Sequence, residues 1–345
     1  MKTNTSPTYD FLRLIGSPYN SSNTQLKDCG YGASYDYAIK NRVRLLYLNS
    51  LVKCQKLGSL QDERDILLEK YKKIQEAFIR ISNVLEEAKI NYAFFKSIRP
   101  YQEVTADIDI LIFGNQYERV LKVMNNTGYF FLGRGPLSTT FLDVDAEIGL
   151  DIYEDVGVSH IIYMDKSKLS GFSFEVNISS SCIGRSLYPE ADLLAVIAHS
   201  IIKEHMYVLS EYYTTLYYLK NGNDAMLLSF VSLAEKCNLL LSAQVHLSIT
   251  GFLHSSVHGF IPERISRLLK MLNVKSGFEQ SRVAKSGLRM PHKYHPTTIA
   301  RAFAEKLGEE KARESFAAQM ASMLNPEFAL SFSKTALKHV FRETY

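Results

Sequence analysis

The stretch that decides the fold runs from Phe94-Phe95-Lys96-Ser97, through nine intervening residues, to Asp107-Ile-Asp-Ile-Leu-Ile112. The apolar residues that follow Asp107 predict a buried strand. Because alternate side chains of a strand share a face, Asp107 and Asp109 project together. Two such close carboxylates repel each other at neutral pH unless a cation lies between them. The pair therefore indicates a divalent metal site, with two solvated carboxylates at a strand end as the alternative.

A third carboxylate, Asp151, begins another apolar strand in Gly149-Leu-Asp-Ile-Tyr153. Three carboxylates on neighbouring strands can hold two Mg²⁺ ions, which clamp triphosphate oxygens and activate an attacking hydroxyl. Asp143 and Asp145 compete with Asp151 for this place. We prefer Asp151, because the turn after Asp145 predicts the outer edge of a hairpin. The hydroxyl of Ser97 and the amides of its turn would receive phosphate oxygens.

This run resembles the DNA polymerase beta-like nucleotidyltransferase superfamily, whose signature is a Gly-Ser turn, a D-x-D pair and a later third carboxylate. The matching residues are Lys96-Ser97, Asp107-Ile-Asp109 and Asp151. The sequence is more closely similar to the branch related to abortive-infection and toxin–antitoxin nucleotidyltransferases, whose turn tends to be Lys-Gly. The likeness covers residues 90–255 or so and includes Leu187-Tyr-Pro-Glu-Ala-Asp-Leu-Leu194.

The resemblance implies a Mg²⁺-dependent nucleotidyltransferase that transfers a nucleoside monophosphate from an NTP to an acceptor hydroxyl and releases pyrophosphate. Asp107, Asp109 and Asp151 would be the catalytic residues and would ligate two Mg²⁺ ions, and Asp151 would also contribute as a general base. The nucleotide-binding residues would be Lys96, Ser97 and Lys203. For Lys203 the alternative is a lysine on the wet face of a helix.

The sequence departs from this family at the turn. Its glycine is replaced, at either Lys96 or Ser97, and a side chain there narrows the approach of the backbone to phosphate. The arginine that often precedes the acidic pair is also missing, and Glu103-Val-Thr105 stands in its place. The alternative function is therefore a catalytically inactive module that senses nucleotides or binds a protein. A toxin-like protein restrained by an antitoxin-like partner is a third possibility.

Hydrophobic periodicity predicts an α+β protein with a small mixed β-sheet nucleotidyltransferase core, a helical N-terminal extension and an all-helical C-terminal half. One helix is expected over residues 189–220. Its His199 and His205 are expected to be structural, because a six-residue spacing does not place two ligands on one helix face. The expected parts are a loosely ordered segment 1–35, a helical lobe 36–90, the core 91–185, a helical domain 186–275 and a basic helical region 276–345.

Two further groups of residues have alternative interpretations. The tyrosines would form either a base-stacking surface or core, and the basic residues either a phosphate-backbone contact or a solvated loop. They are Tyr212, Tyr213, Tyr217 and Tyr218 in the first group, and Lys275, Arg282, Lys285, Arg289, Lys293 and Arg301 in the second.

Composition narrows the class of protein. The 345 residues are 46% hydrophobic and 22% charged, which excludes a largely disordered chain. The net charge is only +4, but residues 271–345 hold 12 Lys and Arg against 7 Asp and Glu. This surplus favours RNA, bound through residues 275–301, slightly over a protein or a small molecule as the acceptor.

The cysteines and the longest apolar stretch bear on the cellular setting. The four cysteines are far apart in the sequence, so neither a disulfide framework nor a zinc site is predicted. No apolar stretch reaches the roughly 20 residues of a membrane span. We expect no membrane partner and a cytoplasmic protein.

Overall fold

A computed structural model describes residues 6–20, 31–179, 182–274, 277–330 and 333–334. Its N-terminal helices are α1 (Pro7–Ile15), α2 (Tyr31–Lys40), α3 (Arg44–Lys53) and α4 (Gln61–Glu87). Helix α1 lies in the segment for which we expected loose order, yet its Phe11 and Leu12 are buried in the main hydrophobic core. The ring of Phe11 stacks on that of Tyr47 in α3, at 5.2 Å between centroids.

The middle of the chain forms a seven-stranded mixed sheet. In chain order, its strands and the elements between them are β1 (Tyr92–Phe94), β2 (Asp107–Ile112), α5 (Tyr117–Asn126), β3 (Phe130–Arg134), β4 (Ser138–Asp143), β5 (Ile148–Tyr153), β6 (Val156–Val158), β7 (Ile161–Met164), α6 (Lys166–Leu169), β8 (Ser173–Ser179) and β9 (Cys182–Leu187). The order across the sheet is β3-β4-β5-β2-β1-β9-β8, and β6 and β7 pair with each other separately.

The order of the strands places β2 at the centre of this sheet. It is parallel to β5 on one side and antiparallel to β1 on the other. Its residues Ile108, Ile110 and Ile112 are completely buried. Helix α4 packs against the sheet, where the ring of Phe78 meets that of Phe94 in β1 edge to face, at 5.0 Å between centroids.

The C-terminal half is mainly helical. Its elements are α7 (Pro189–Ala198), a π-helix (His199–Glu204), β10 (Met206–Tyr207), α8 (Leu209–Asn221), α9 (Asp224–Lys236), α10 (Leu240–His258), α11 (Glu263–Met271), α12 (Phe278–Lys285), β11 (His292–Lys293), α13 (Pro296–Lys306) and α14 (Glu310–Ser322). The α+β class, with helices before a mixed sheet and a mostly helical half after it, is confirmed.

The prediction of a single helix over residues 189–220 is wrong. His205 has a φ of 56°, a left-handed conformation that a right-handed helix cannot continue. The chain then extends as β10 and pairs with β11, with Met206 opposite Lys293 and Tyr207 opposite His292. The break therefore results from a partner strand that lies far along the sequence.

The structure bears on two features of the sequence, the cysteines and the length of the apolar segments. Cys54, Cys182 and Cys237 are free thiols, and Cys29 lies outside the described residues. Within the described part of the chain, no helix is both long enough and apolar enough to cross a bilayer.

Candidate metal and nucleotide site

The parallel strands β2 and β5 bring three carboxylates together. Asp109 is directly opposite Asp151, and Asp107 is opposite Gly149. One carboxylate oxygen from each of Asp107, Asp109 and Asp151 lies within 4.8 Å of the other two. The acidic pair and the preferred third carboxylate are thus neighbours in space, as their shared strand faces require.

The electrostatics of this cluster favour a bound cation. Burial raises the pKa of Asp107 to about 6, and the nearby charge of Asp109 adds to the effect. Burial also raises the pKa of Asp151, although Thr140 Oγ1 donates a hydrogen bond of 2.5 Å to it. A cation between these groups would offset the cost of their charges. Because all three donors are carboxylate oxygens, the cluster suits a hard divalent cation.

Lys96 lies inside the cluster. Its Nζ is 3.3 Å from Asp109 Oδ1, and the side chain of Lys96 is only 6% exposed. Burial opposes the ionisation of Asp109, but the positive charges of Lys96 and Lys203 and the hydrogen bond from Lys96 together hold the pKa of Asp109 below its ordinary value. For Lys96 itself burial opposes the charge, yet Asp109, Tyr163 and Asp107 together hold its pKa above the usual range. Lysine and aspartate are therefore both charged.

The turn that carries Lys96 is fixed to the helical half of the chain. The backbone N–H of Lys96 donates to Asp192 Oδ1 at 2.5 Å, and the hydroxyl of Tyr218 donates to Asp192 Oδ2 at 2.7 Å. Asp192 belongs to α7 and Tyr218 to α8. The position of Lys96 thus depends on two C-terminal helices as well as on the sheet.

Ser97 connects β1 to β2. Its Oγ accepts the backbone N–H of Asp109 at 2.7 Å and donates to the carbonyl oxygen of Phe95 at 3.0 Å. The side chain is buried, at 4% exposure. The hydroxyl is therefore engaged in holding Asp109 in place, and its contribution to phosphate binding stays a prediction.

A pocket of about 370 Å³ opens beside Asp107 and Asp109. It has basic and acidic walls. The cationic side chains that line it are Arg42, Arg44, Lys96, Arg99 and Lys203. Three of these, Arg42, Arg44 and Arg99, were missed from the sequence. Arg99 is two residues beyond Ser97 and could have been found from its place in the turn, whereas no local pattern points to the other two.

The acidic wall of the pocket is already engaged in local contacts. Glu103 accepts the N–H groups of Leu45 and Leu46, each at 3.2 Å, and so holds the start of α3. Glu211 accepts the hydroxyl of Ser200 at 3.0 Å and the N–H of Val208 at 3.2 Å. These carboxylates therefore shape the pocket by fixing its backbone.

His199 adjoins Lys96 in the same pocket. Burial, together with the charges of Lys96 and Lys203, lowers the pKa of His199 to about 3, so its ring is neutral at pH 7. Its Nδ1 lies 3.2 Å from Lys96 Nζ, which is a donor, so Nδ1 accepts. The ring proton is then on Nε2, which is 3.3 Å from Glu204 Oε1. His199 thus supports the position of the lysine.

The competing carboxylates lie elsewhere. Asp143 is buried and pairs with Arg80 of α4, with Arg80 Nη2 2.7 Å from Asp143 Oδ1. Asp145 is exposed in the turn between β4 and β5. Only Asp151 joins Asp107 and Asp109 among the described residues.

The two groups of residues that had alternative interpretations, the tyrosines of α8 and the basic residues between 275 and 301, differ in their surroundings. Tyr212 and Tyr213 are completely or almost completely buried, as core residues are. Among the basic residues, Lys275 lies outside the described residues, and Arg282 pairs with the buried Glu279 at 2.9 Å. Lys293 is held next to the pocket's π-helix by the pairing of β11 with β10.

Solved structures that are similar to this chain include the following two. One is a crystal structure of an antigenic nucleotidyltransferase-like protein from Paracoccidioides brasiliensis, with 11% identity, a TM-score of 0.30, and coverage of 48% of this chain and 88% of that chain. The other is the STING-associated CdnE c-di-GMP synthase from Capnocytophaga granulosa, with 13% identity, a TM-score of 0.28, and coverage of 92% and 99%. No protein-family model and no curated protein matches the sequence. These similarities give no support for the abortive-infection or toxin-type branch expected from the sequence.

Proposed function

We propose that this protein is a Mg²⁺-dependent nucleotidyltransferase that transfers a nucleoside monophosphate from an NTP to an acceptor hydroxyl. The observation that carries the proposal is the convergence of Asp107, Asp109 and Asp151, with oxygens within 4.8 Å of one another, beside a pocket lined by cations. Phosphoryl transfer depends mainly on positioning and on stabilisation of charge. The carboxylates and the cations of the pocket support the proposal, because they are groups of the kinds that could meet both requirements.

The carboxylates would hold the divalent ion, which supplies charge stabilisation at the α-phosphate and favours ionisation of the acceptor hydroxyl. Arg42, Arg44, Arg99 and Lys203 would bind the triphosphate, because guanidinium and ammonium groups donate charge-assisted hydrogen bonds to phosphate oxygens. These contacts orient the α-phosphorus towards the carboxylates and keep pyrophosphate in place as the leaving group.

The reaction forms one bond and breaks another. The acceptor oxygen attacks the α-phosphorus, and the bond from that phosphorus to the bridging oxygen of pyrophosphate breaks. Asp151 would take the proton of the acceptor hydroxyl, a role that suits a carboxylate whose pKa burial has raised. Lys96 and His199 keep Asp109 ionised and in position while this occurs.

Labelled NTP tests the proposal directly. Transfer of α-labelled nucleotide is measured for each NTP with Mg²⁺, with and without RNA. Asp151→Asn is expected to reduce transfer by about 10²-fold or more, since it removes both a ligand and a base. The matched control is Asp145→Asn, which makes the same change at an exposed aspartate of the adjoining turn. Equal transfer by the wild type and an Asp107→Ala/Asp109→Ala variant would refute the proposal.

RNA is the acceptor that we favour. A groove of about 940 Å³ is lined by Lys40, Arg289 and Lys293 together with Tyr37. It adjoins the pocket along α2, where Ile39 lines the pocket and Lys40 lines the groove. Contacts to a phosphate backbone make affinity fall with salt. Replacing the three cations with Gln is expected to weaken RNA binding and flatten its salt dependence while leaving NTP binding unchanged. Unchanged RNA affinity would favour a protein or small-molecule acceptor.

A catalytically inactive nucleotide-sensing or protein-binding module is the second candidate. The observation that favours it is Lys96, whose side chain already occupies part of the carboxylate cluster. Calorimetric titration with NTP and Mg²⁺ separates the candidates. Nucleotide binding without label transfer supports a sensor, and no binding at millimolar nucleotide supports a protein-binding module.

A further inference from the structure

The backbone at Lys96 has the conformation that a glycine would normally supply. Its φ is 59°, in the left-handed region that side chains disfavour because of the clash of Cβ with the backbone. Between the two positions that the sequence left open, this conformation identifies Lys96 as the residue in the place of the turn glycine. A strained lysine at such a position needs a compensating interaction.

The compensation is the placement of its ammonium. Lys96 Nζ lies 3.3 Å from Asp109 Oδ1 and 3.2 Å from His199 Nδ1. It also lies over two aromatic rings, 4.7 Å from the centroid of Phe95 and 5.5 Å from that of Tyr153. Acceptors and π-faces thus surround the ammonium on several sides, as they would surround a bound cation.

Charge balance distinguishes this cluster from one built for two ions. The three aspartates carry three negative charges when ionised, which one ammonium and one divalent ion balance. A second divalent ion on Asp109 Oδ1 would lie close to the ammonium and be repelled by it. The ammonium is held in the cluster, because the backbone N–H of Lys96 is hydrogen-bonded to Asp192 and the side chain of Lys96 is buried.

We propose that Lys96 is a built-in cation that replaces one divalent ion, so that the nucleotide-free protein binds a single divalent ion between Asp107 and Asp151. This differs from the two ions expected from the family resemblance, and it concerns the same metal site on which the proposed function rests. Asp109 then serves mainly as the partner of Lys96.

Mn²⁺ is the probe, because the free ion is counted by electron paramagnetic resonance. The full chain is titrated without nucleotide, and the number of ions bound per chain is determined. The wild type is expected to bind one. Lys96→Met keeps the length of the side chain and the left-handed backbone but removes the charge. Lys96→Gly removes the charge and also the strain of the left-handed backbone. Both variants are expected to bind two ions per chain.

Lys89→Gly is the matched control. Lys89 also has a left-handed backbone, with a φ of 51°, but it precedes β1, at the end of that strand opposite to the Lys96 turn. This variant is expected to bind one ion, as the wild type does. Melting temperature provides a second measure: addition of Mn²⁺ should raise it more in Lys96→Met than in the wild type, because only the variant lacks an internal cation.

Several outcomes would overturn the inference. Two ions bound by the wild type, or the same number bound by the wild type and both Lys96 variants, would do so, as would the absence of any bound Mn²⁺. The proposed function is decided separately by label transfer. One bound ion with no transfer would uphold the role of Lys96 and refute the enzyme, and two bound ions with transfer would do the reverse.

Discussion

Glu103 provides a sharp test of the buried electrostatics around the pocket. Its carboxylate is 7% exposed and accepts the N–H groups of Leu45, Leu46 and Val104. Burial raises its pKa to about 7, although those hydrogen bonds act in the opposite direction. The perturbation is Glu103→Gln, in which an uncharged amide of the same size replaces the acid.

The sign and the size of the effect follow from proton linkage. The folded protein keeps the proton of Glu103 up to about pH 7, whereas the unfolded chain releases it near 4.5, so the contribution to stability is complete below pH 4.5 and lost as the pH rises through 7. The shift corresponds to about 3 kcal/mol. The amide introduced by Glu103→Gln does not titrate, so the free energy of unfolding of the variant, relative to that of the wild type, should rise by up to about 3 kcal/mol between pH 4 and pH 8.

Urea unfolding followed by far-ultraviolet circular dichroism measures this difference at the two pH values. Other titrating groups cancel, because they are shared by the two proteins. Glu87→Gln, at the exposed end of α4, is the control and should behave the same at both pH values. A difference between Glu103→Gln and the wild type that is constant with pH to within roughly 0.5 kcal/mol would refute the reasoning.

Three further perturbations test other contacts. Asp143→Ala removes the partner of Arg80 and should lower the free energy of unfolding in urea by about 1–3 kcal/mol, while Mn²⁺ binding stays unchanged because Asp143 lies outside the carboxylate cluster. Leu12→Ala should cost about 2–5 kcal/mol in the same assay, since Leu12 is completely buried; no loss would mean that α1 does not pack on the core. Thr140→Val removes the hydrogen bond donated to Asp151 and should weaken Mn²⁺ binding by about 10-fold in calorimetry, and unchanged affinity would contradict an orienting role for Thr140.

The carboxylate cluster could be predicted from the sequence because strand periodicity is a local property. Alternation alone places Asp107 and Asp109 on one face, and the second acidic strand identifies Asp151. Which position of the turn replaces glycine could not be decided this way, because the sequence of Lys96-Ser97 does not reveal the sign of φ. The backbone of Lys96 supplies that information.

Other features depend on tertiary contacts and leave no local trace. Arg42, in the turn between α2 and α3, and Arg44, at the start of α3, both line the pocket, but their sequence pattern is that of ordinary surface cations. The break after Glu204 lies in a stretch with helical periodicity, and the strand Met206–Tyr207 exists because β11 pairs with it. Such tertiary pairing overrides helix propensity, which is a weak preference for each residue.

Asp192 has a consequence for how this protein can be divided. Its two oxygens hold the Lys96 amide and the Tyr218 hydroxyl, so the turn beside the carboxylates is completed by helices that follow the sheet. The α/β segment therefore cannot be separated from the following helices without loss of a contact that fixes the Lys96 turn. A fragment ending near residue 188 would retain all three aspartates yet lose the acceptor that fixes Lys96. Any chimera that grafts a new helical half onto this sheet would have to supply a carboxylate at the same place.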